Sequence, residues 1–78
     1  MKTHTPNEAV RRAVDRLNGA KEAAALLGVT PQAVYFWLNG ERQFPAELAP
    51  KVERATGGAV RCEELRPDVE WKVLREAA

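Results

Sequence analysis

Apolar residues near the start of the chain recur every three or four positions, which is the spacing of an amphipathic helix. The apolar positions of this first segment are Val10, Ala13, Val14 and Leu17. Before them, Thr5-Pro6-Asn7-Glu8 has the layout of a capping box with proline at the first helical position. After them, Asn18-Gly19 supplies a stop signal. The pattern therefore predicts a first helix that runs from the capping box to residue 17.

Two shorter helices are predicted on either side of Gly28. The segment from Ala20 to Leu27 is rich in alanine and leucine, which favour helix and leave little bulk. Gly28 suits the left-handed conformation that ends a helix, and Thr30 and Pro31 suit the cap and first position of the next one. The apolar anchors around this turn are Ala24, Leu27, Val29, Val34 and Trp37. This is the layout of a helix-turn-helix over residues 20–39, whose second helix can lie in the DNA major groove.

The pattern in the second half of the chain predicts one more helix, which ends at a pair of glycines. Pro45 can restart helical structure after a loop. The residues that then fall on one face are Leu48, Val52 and Ala55. Pro50 would remove a backbone hydrogen bond inside a helix, so we expect a kink there or a regular helix that starts near residue 49. A Thr-Gly-Gly sequence at residues 56–58 closes this segment.

Two interpretations stay open for the end of the chain. Residues 59–65 predict an irregular segment with one short turn at residues 62–65. Pro67-Asp68 can open a final helix that reaches Glu76, which is the interpretation we favour. The opposing signal is strand-like alternation of Val69, Trp71 and Val73 with Glu70 and Lys72. The fold class predicted is all-α, a small helix-turn-helix bundle of four to five helices that forms a single domain over residues 1–78.

The composition of the chain excludes some classes of protein but does not identify the class to which it belongs. A chain of 78 residues forms one domain, which is too small to enclose a large substrate pocket. The formal net charge is +1. Residues 1–45 contain six basic and four acidic residues, whereas residues 46–78 contain six basic and seven acidic residues. The half that contains the helix-turn-helix is therefore the more basic one, although by a small margin.

Side chains that carry chemistry are few. Cys62 is the single cysteine and His4 the single histidine, so neither a metal cluster nor a Cys–His nucleophile pair is predicted. We expect Cys62 to be a partly buried structural thiol. No catalytic residue, metal or cofactor is predicted, and the chain does not indicate an enzyme.

Nothing in the chain indicates a signal peptide or a membrane span. The longest uncharged run, Leu26 to Gly40, is broken by proline, glycine and polar residues. We therefore expect a cytoplasmic protein with no membrane partner.

The second helix of the predicted helix-turn-helix has two distinct faces. The core face holds Ala33, Val34, Trp37 and Leu38, and the outward face holds Gln32, Tyr35, Phe36 and Asn39. Exposing a large aromatic side chain forfeits about 1.5–3 kcal/mol, so we expect something to cover Tyr35 and Phe36 in the working state. For Phe36, burial against the loop at Phe44 or against a partner subunit is an equal alternative.

If the covering partner is DNA, the residue types suit defined contacts. Gln32 can pair bidentately with adenine N6 and N7, and Tyr35 and Phe36 can contact thymine methyl groups. The Tyr35 hydroxyl can instead reach a phosphate. Candidate backbone contacts are Asn39, Arg42 and Gln43 just past the helix, with Lys21 and the free N–H groups near Ala20 on the other flank.

These residues resemble a known family. Leu26 to Gly40, followed by Arg42, Pro45, the segment 53–58 and Leu65-Arg66-Pro67-Asp68, is similar to the YdaS-like antitoxin and Cro-type family of small phage and prophage regulators. The resemblance implies a compact helical domain that binds operator DNA, commonly as a dimer or higher oligomer. The family's recognition positions fall on Thr30, Pro31, Gln32, Tyr35 and Phe36. The aromatics at positions 35 and 36 replace the small polar residues that are common there.

Two functions follow as hypotheses. The first is a sequence-specific DNA-binding transcriptional regulator, a phage or prophage Cro-type repressor that binds double-stranded operator DNA as a homodimer. Pairing is expected through residues 59–78, where Trp71, Val73 and Leu74 otherwise lack cover. The second is a protein-interaction module or antitoxin that uses Tyr35 and Phe36 as hydrophobic anchors for a protein partner.

Overall fold

The computed structural model describes residues 6–77, and the regular elements within them are all helical. The helices are α1 (Pro6–Arg16), α2 (Ala20–Leu27), α3 (Pro31–Leu38), α4 (Ala49–Ala55), α5 (Cys62–Leu65) and α6 (Trp71–Ala77), with a 3₁₀ helix at Ala46–Leu48 before α4. The all-α prediction is confirmed. The segment predicted as a turn at residues 62–65 is the one-turn helix α5, which raises the number of helices to six among the described residues. The strand alternative for the final segment is wrong, because α6 is a helix, but this helix begins at Trp71 and not at Pro67-Asp68 as predicted.

The junction between α1 and α2 follows the predicted stop signal. Asn18 and Gly19 both have positive φ, 71° and 112°, and α2 begins directly after them. The proposed cap of α1 at Thr5 lies outside the described residues.

The turn between α2 and α3 depends on Gly28. Its backbone lies in the left-handed region, with φ 73° and ψ 32°, and the N–H of Val29 donates to the carbonyl of Ala24 at 3.0 Å. A methyl group added at Gly28 would meet no atom within 4 Å. The backbone conformation, and not lack of room, therefore makes glycine the favourable residue here.

The core is formed from all six helices and the loop after α3. Its buried residues are Ala9, Val10, Ala13, Ala24, Leu27, Val34, Trp37, Phe44, Ala49, Val52, Val60, Cys62, Leu65 and Trp71. Trp37 and Phe44 meet edge to face, with ring centroids 4.9 Å apart. Phe44 thus packs the loop after α3 against the inner side of that helix.

Pro50 is accommodated as predicted, in the first turn of a helix whose regular part starts at Ala49. The buried face of α4 differs from the prediction. Ala49 is fully buried and Val52 is buried, whereas Ala55 is exposed. The change from 3₁₀ to α geometry at Ala49 shifts the helical phase, so a face extrapolated from Leu48 does not continue to Ala55.

The Thr-Gly-Gly sequence forms a hydrogen-bonded corner after α4. The Thr56 hydroxyl donates to the carbonyl of Val52 at 2.9 Å and accepts from the N–H of Val60 at 3.2 Å. Gly57 and Gly58 both have positive φ, 63° and 87°. The corner turns the chain back so that Val60 enters the core.

Glu64 of α5 and Glu53 of α4 together cap α5, which is too short to form by itself. Glu53 of α4 accepts from the N–H of Cys62 at 2.8 Å, and Glu64 accepts from the N–H of Arg61 at 3.0 Å. The other carboxylate oxygen of Glu64 accepts from Arg12 of α1 at 2.7 Å. Tertiary contacts therefore produce a helix where the sequence predicted only a turn.

Arg66 ties the C-terminal segment to the loop after α3. Its guanidinium makes a bidentate pair with Asp68 at 2.9 and 2.8 Å and donates to the carbonyl of Phe44 at 3.0 Å. Its own carbonyl accepts from the indole N–H of Trp71 at 2.8 Å. We refer to these contacts of Arg66 with Phe44, Asp68 and Trp71 as the Arg66 clamp.

No helix within residues 6–77 is both long and apolar enough to cross a membrane. The same residues contain no cluster of three or more histidine, cysteine or acidic side chains with the arrangement of a metal site. Cys62 is buried, as predicted for a structural thiol. Its burial, followed by its contact with Glu53, raises the pKa of the thiol to about 11.

Candidate nucleic-acid interface

Helix α3 is held in place along one face and is exposed along the other. Val34 and Trp37 are buried in the core, whereas Gln32, Tyr35 and Asn39 are exposed on the opposite side. The polypeptide thus presents a short rod with a polar and aromatic outer face, which is the shape required to enter the major groove.

The start of α3 is fixed by its cap. Thr30 has extended backbone geometry, and its hydroxyl accepts from the N–H of Ala33 at 3.2 Å. Pro31 follows in the first turn, where its missing N–H costs nothing. Thr30 and Pro31 are both exposed, so the beginning of the helix is open to a ligand.

The predicted site residues lie on the first turn of α2, along α3 and in the loop after it. Those that the structure leaves exposed are Lys21, Thr30, Pro31, Gln32, Tyr35, Asn39, Arg42 and Gln43. Phe36 is half-buried. Its covering group is the guanidinium of Arg42, whose Cζ lies 4.6 Å from the centroid of the Phe36 ring. Arg42 belongs to the loop at Phe44, one of the covers weighed from the sequence, whereas the Phe44 ring itself packs on Trp37.

Cations near α3 have no ion-pair partner among the described residues. Arg12, Arg61, Arg66 and Arg75 each pair with a carboxylate. Lys21 and Arg42 make no ion pair with any carboxylate within residues 6–77. Exposed basic groups with no carboxylate partner are available to neutralise phosphate groups. The other basic residues that make no ion pair within residues 6–77 belong to α1, α4 and α6: Arg11, Arg16, Lys51, Arg54 and Lys72.

Two pairs of large apolar side chains are exposed among the described residues. Leu26 and Tyr35 belong to the helix-turn-helix, with exposed fractions of 44% and 54%. Val73 and Leu74 lie on α6 and are about equally exposed. Trp71, which we expected to lack cover, is buried, because its ring enters the core and its N–H is bonded to Arg66.

Arg66 is a residue that the sequence did not identify as part of the site. It does not lie on α3, yet it holds the carbonyl of Phe44 and so fixes the loop that carries Arg42 and Gln43. The available signal was the Leu-Arg-Pro-Asp segment, which contributed to the resemblance but had no structural explanation from the sequence alone.

The fold and the outer face of α3 define a small helix-turn-helix protein of the kind found in regulators. The comparisons with known proteins assign it more narrowly. Residues 10–74 match the model of a family described as "Bacterial toxin YdaS", so the chain belongs to this family. The resemblance drawn from the sequence is confirmed.

Two similar proteins support the same assignment. The chain is 49% identical over 72 residues to the Escherichia coli (strain K12) protein named "Putative transcriptional regulator YdaS", a match that covers 92% of this chain and 74% of that protein. It is 43% identical to a solved structure described as the Cro protein from "putative prophage element Xfaso 1" in Xylella fastidiosa strain Ann-1. That match has a TM-score of 0.71 and covers 78% of this chain and 92% of the other.

Proposed function

We propose that this protein is a transcriptional regulator that binds double-stranded operator DNA with α3 in the major groove. The observation that carries the proposal is the outer face of α3, which presents Gln32, Tyr35 and Asn39 to solvent while the inner face is locked in the core. The regulator and Cro names of two relatives support the same role.

Base recognition is assigned to the first turns of α3. Gln32 has the amide donor and acceptor for adenine, and it stands one residue inside the exposed start of the helix. Tyr35 follows about one turn later and suits a thymine methyl group or, through its hydroxyl, a phosphate. Thr30 and Pro31 shape the end of the helix that meets the duplex.

Backbone contacts are assigned to residues around α3. Lys21 and Arg42 bring positive charge, and Asn39 and Gln43 bring amide donors. Such contacts fix the position of a protein on the duplex and supply much of its affinity, but they carry no base sequence. Phe36, which was also predicted to contact DNA, is half-buried beneath the guanidinium of Arg42.

Binding as a homodimer is part of the proposal. One copy offers few cations to phosphate, so a single domain would bind weakly. The two longer dimensions of the domain are 33 and 31 Å, close to the roughly 34 Å that separates half-sites one helical turn apart. Two copies side by side can therefore serve both halves of a palindrome. The segment 59–78 is the proposed pairing region, because Val73 and Leu74 of α6 are exposed.

The effect proposed for binding is repression of neighbouring genes, since a bound dimer occupies DNA that polymerase needs. Footprinting on the DNA upstream of the protein's own gene tests this proposal. We expect salt-sensitive protection of a site with two-fold symmetry, loss of that protection in Gln32→Ala, and weaker protection in Arg42→Ala. Lys51→Ala and Arg54→Ala are matched controls, because they remove exposed cations of α4 that have no ion pair within residues 6–77. Equally weak binding to every DNA sequence would contradict the proposal.

A protein partner is the second candidate, and one observation favours it. Leu26 and Tyr35 are both large, apolar and exposed on the helix-turn-helix. Such side chains are frequent anchors of protein interfaces. Under this alternative, Tyr35→Ala abolishes partner binding, whereas Gln32→Ala and Arg42→Ala leave it intact. The same pair of variants therefore separates the two functions.

A further inference from the structure

The guanidinium of Arg42 is held against Phe36 by two sets of contacts. Its Cζ lies 4.6 Å from the centroid of the Phe36 ring, within the range of a cation–π interaction. The backbone is anchored to the same residue, because the N–H groups of Glu41 and Arg42 both point to the carbonyl of Phe36, at 2.9 and 3.3 Å. Arg42 is thus fixed at both its backbone and its head group.

The guanidinium of Arg42 keeps its hydrogen-bond donors free. Its N–H groups make no side-chain hydrogen bond to another residue within residues 6–77, and a cation–π contact with the Phe36 ring does not occupy them. Arg66 and Arg75, in contrast, donate hydrogen bonds from their guanidinium groups to carboxylates at about 3 Å. Arg42 has no such partner among the described residues, so its edge is available to a phosphate.

Holding a long side chain in place before binding lowers the entropy lost when it binds. An arginine gives up considerable rotamer freedom when it is immobilised in a complex. In this protein the Phe36 ring restricts Arg42 in the free state, beside the end of α3. The ring is half-buried and therefore has a fixed position of its own.

We propose that Phe36 is a positioning residue, which holds Arg42 ready for a backbone phosphate flanking the recognition helix and does not itself contact a base. The inference rests on the proposed DNA-binding function. It assigns one of the two unusual aromatics of α3 to the phosphate contact and leaves Tyr35 to face the groove.

The free protein provides the first test. Ring current from Phe36 should shift the Arg42 δ protons upfield in the NMR spectrum. Phe36→Leu keeps an apolar side chain in place but removes the ring, so these protons should return to ordinary positions, whereas Phe36→Trp should keep them shifted. Unshifted protons in the wild type would overturn the proposal whatever the DNA experiments give.

The second test is a double-mutant cycle on the operator. We expect Phe36→Leu to weaken binding about two- to fivefold, the size of an exposed cation–π contact, and to have no further effect in Arg42→Ala. Phe36→Trp should restore binding. Tyr35→Leu is the matched control, because its loss should add to that of Arg42→Ala. Thermal unfolding of each variant shows that the domain remains folded.

The outcomes separate the two proposals. If Phe36→Leu has no effect, or weakens binding equally with and without Arg42, the positioning role is wrong while DNA binding stands. If the wild type shows no sequence preference and Arg42→Ala binds as the wild type does, the proposed function fails and the positioning role fails with it.

Discussion

Glu53 is the residue at which α4, α5 and α6 meet. Its carboxylate accepts from the backbone N–H of Cys62 and from Arg75, which also pairs with Glu63. The hydrogen bond from Arg75, followed by that from the Cys62 N–H, lowers the pKa of Glu53 from 4.5 to about 2. One carboxylate thus caps a helix and holds the last helix in place.

The Glu53 carboxylate makes stability depend on pH in the acid range. The pKa of Glu53 is lower in the folded than in the unfolded chain. Its contribution to the free energy of unfolding is therefore complete above about pH 4.5 and is lost as the pH falls to about 2. We expect the Glu53→Gln variant to be less stable than the wild type at pH 7 and equally stable near pH 2. The difference at pH 7 should be only about 1 kcal/mol, because water reaches the Glu53–Arg75 pair and screens it. Urea unfolding at several pH values measures this difference. Glu47→Gln, which removes an exposed carboxylate without an ion pair in residues 6–77, should show no such convergence.

Arg66 is the second residue whose contacts reach across the molecule. The side chain is 17% exposed and uses three N–H groups, two toward Asp68 and one toward Phe44. A lysine at this position has no planar fork and cannot make the bidentate pair together with the third bond. The identity of this side chain therefore matters more than its charge.

We expect Arg66→Lys to lower the free energy of unfolding by about 1–2 kcal/mol, the size of a charge-assisted hydrogen-bond pair. The loop with Arg42 and Gln43 should also loosen, so operator affinity should fall more than in the control Arg54→Lys. Urea unfolding and gel-shift titration measure the two effects. Equal affinity of Arg66→Lys and the control would show that the loop does not depend on the clamp.

The turn between α2 and α3 sets the geometry of the helix-turn-helix at the scale of elements. Gly28 has φ 73°, and nothing lies where its side chain would be. A substitution there tests the backbone conformation alone, without a steric clash.

We expect Gly28→Ala to destabilise the domain by about 1–2 kcal/mol, because alanine is strained in the left-handed region. Gly28→Asn should cost less, since asparagine adopts this region more readily. Thermal unfolding of the two variants measures the order. If alanine were tolerated as well as asparagine, φ at this turn would have to differ from 73°.

Local signals were sufficient to predict α1, α2 and α3. Gly28, Thr30 and Pro31 act on their immediate neighbours, so the sequence contains the information for this turn. The end of the chain was ambiguous because its outcome depends on distant partners. Trp71 donates a hydrogen bond to the Arg66 carbonyl, and Arg75 donates to Glu53. A prediction from the alternation of apolar and polar residues takes account of neither contact. The same limit applies to α5, because one of its caps comes from Glu53 of α4.

The candidate site was likewise predictable from the sequence only in part. Exposure of Gln32, Tyr35 and Asn39 follows from helical periodicity and was predictable. The cover of Phe36 was left open between DNA, the loop at Phe44 and a partner subunit, because the contact comes from Arg42 of that loop, six residues later and beyond the end of the helix. The burial of Ala49 in place of Ala55 depends on where 3₁₀ geometry changes to α geometry, which periodicity does not show.

At the scale of the whole molecule, the proposed pairing surface is small. Val73 and Leu74 are about half exposed, and two such side chains bury far less than the roughly 800 Å² per partner of a standard stable interface. We therefore expect pairing to be weak in solution and to be completed on the operator, where two adjacent half-sites raise the local concentration of the second copy.

Leu74→Ser tests this pairing. We expect a folded monomer whose operator affinity falls about tenfold or more and whose binding curve loses cooperativity. Lys72→Ser, on the same helix, is the control, and sedimentation together with gel-shift titration measures both variants. Unchanged cooperativity in Leu74→Ser would place the dimer contact on another surface.

Under the proposed function, the Arg66 clamp gives sites far from the duplex an influence on repression. Severing the chain between the Thr-Gly-Gly corner and Arg66, by a protease or by a premature stop codon, would release the loop behind α3 while leaving every side chain that is proposed to read bases present. Cells that carry such a truncated protein should therefore lose control of its genes, even though the damage lies outside the surface that is proposed to contact DNA.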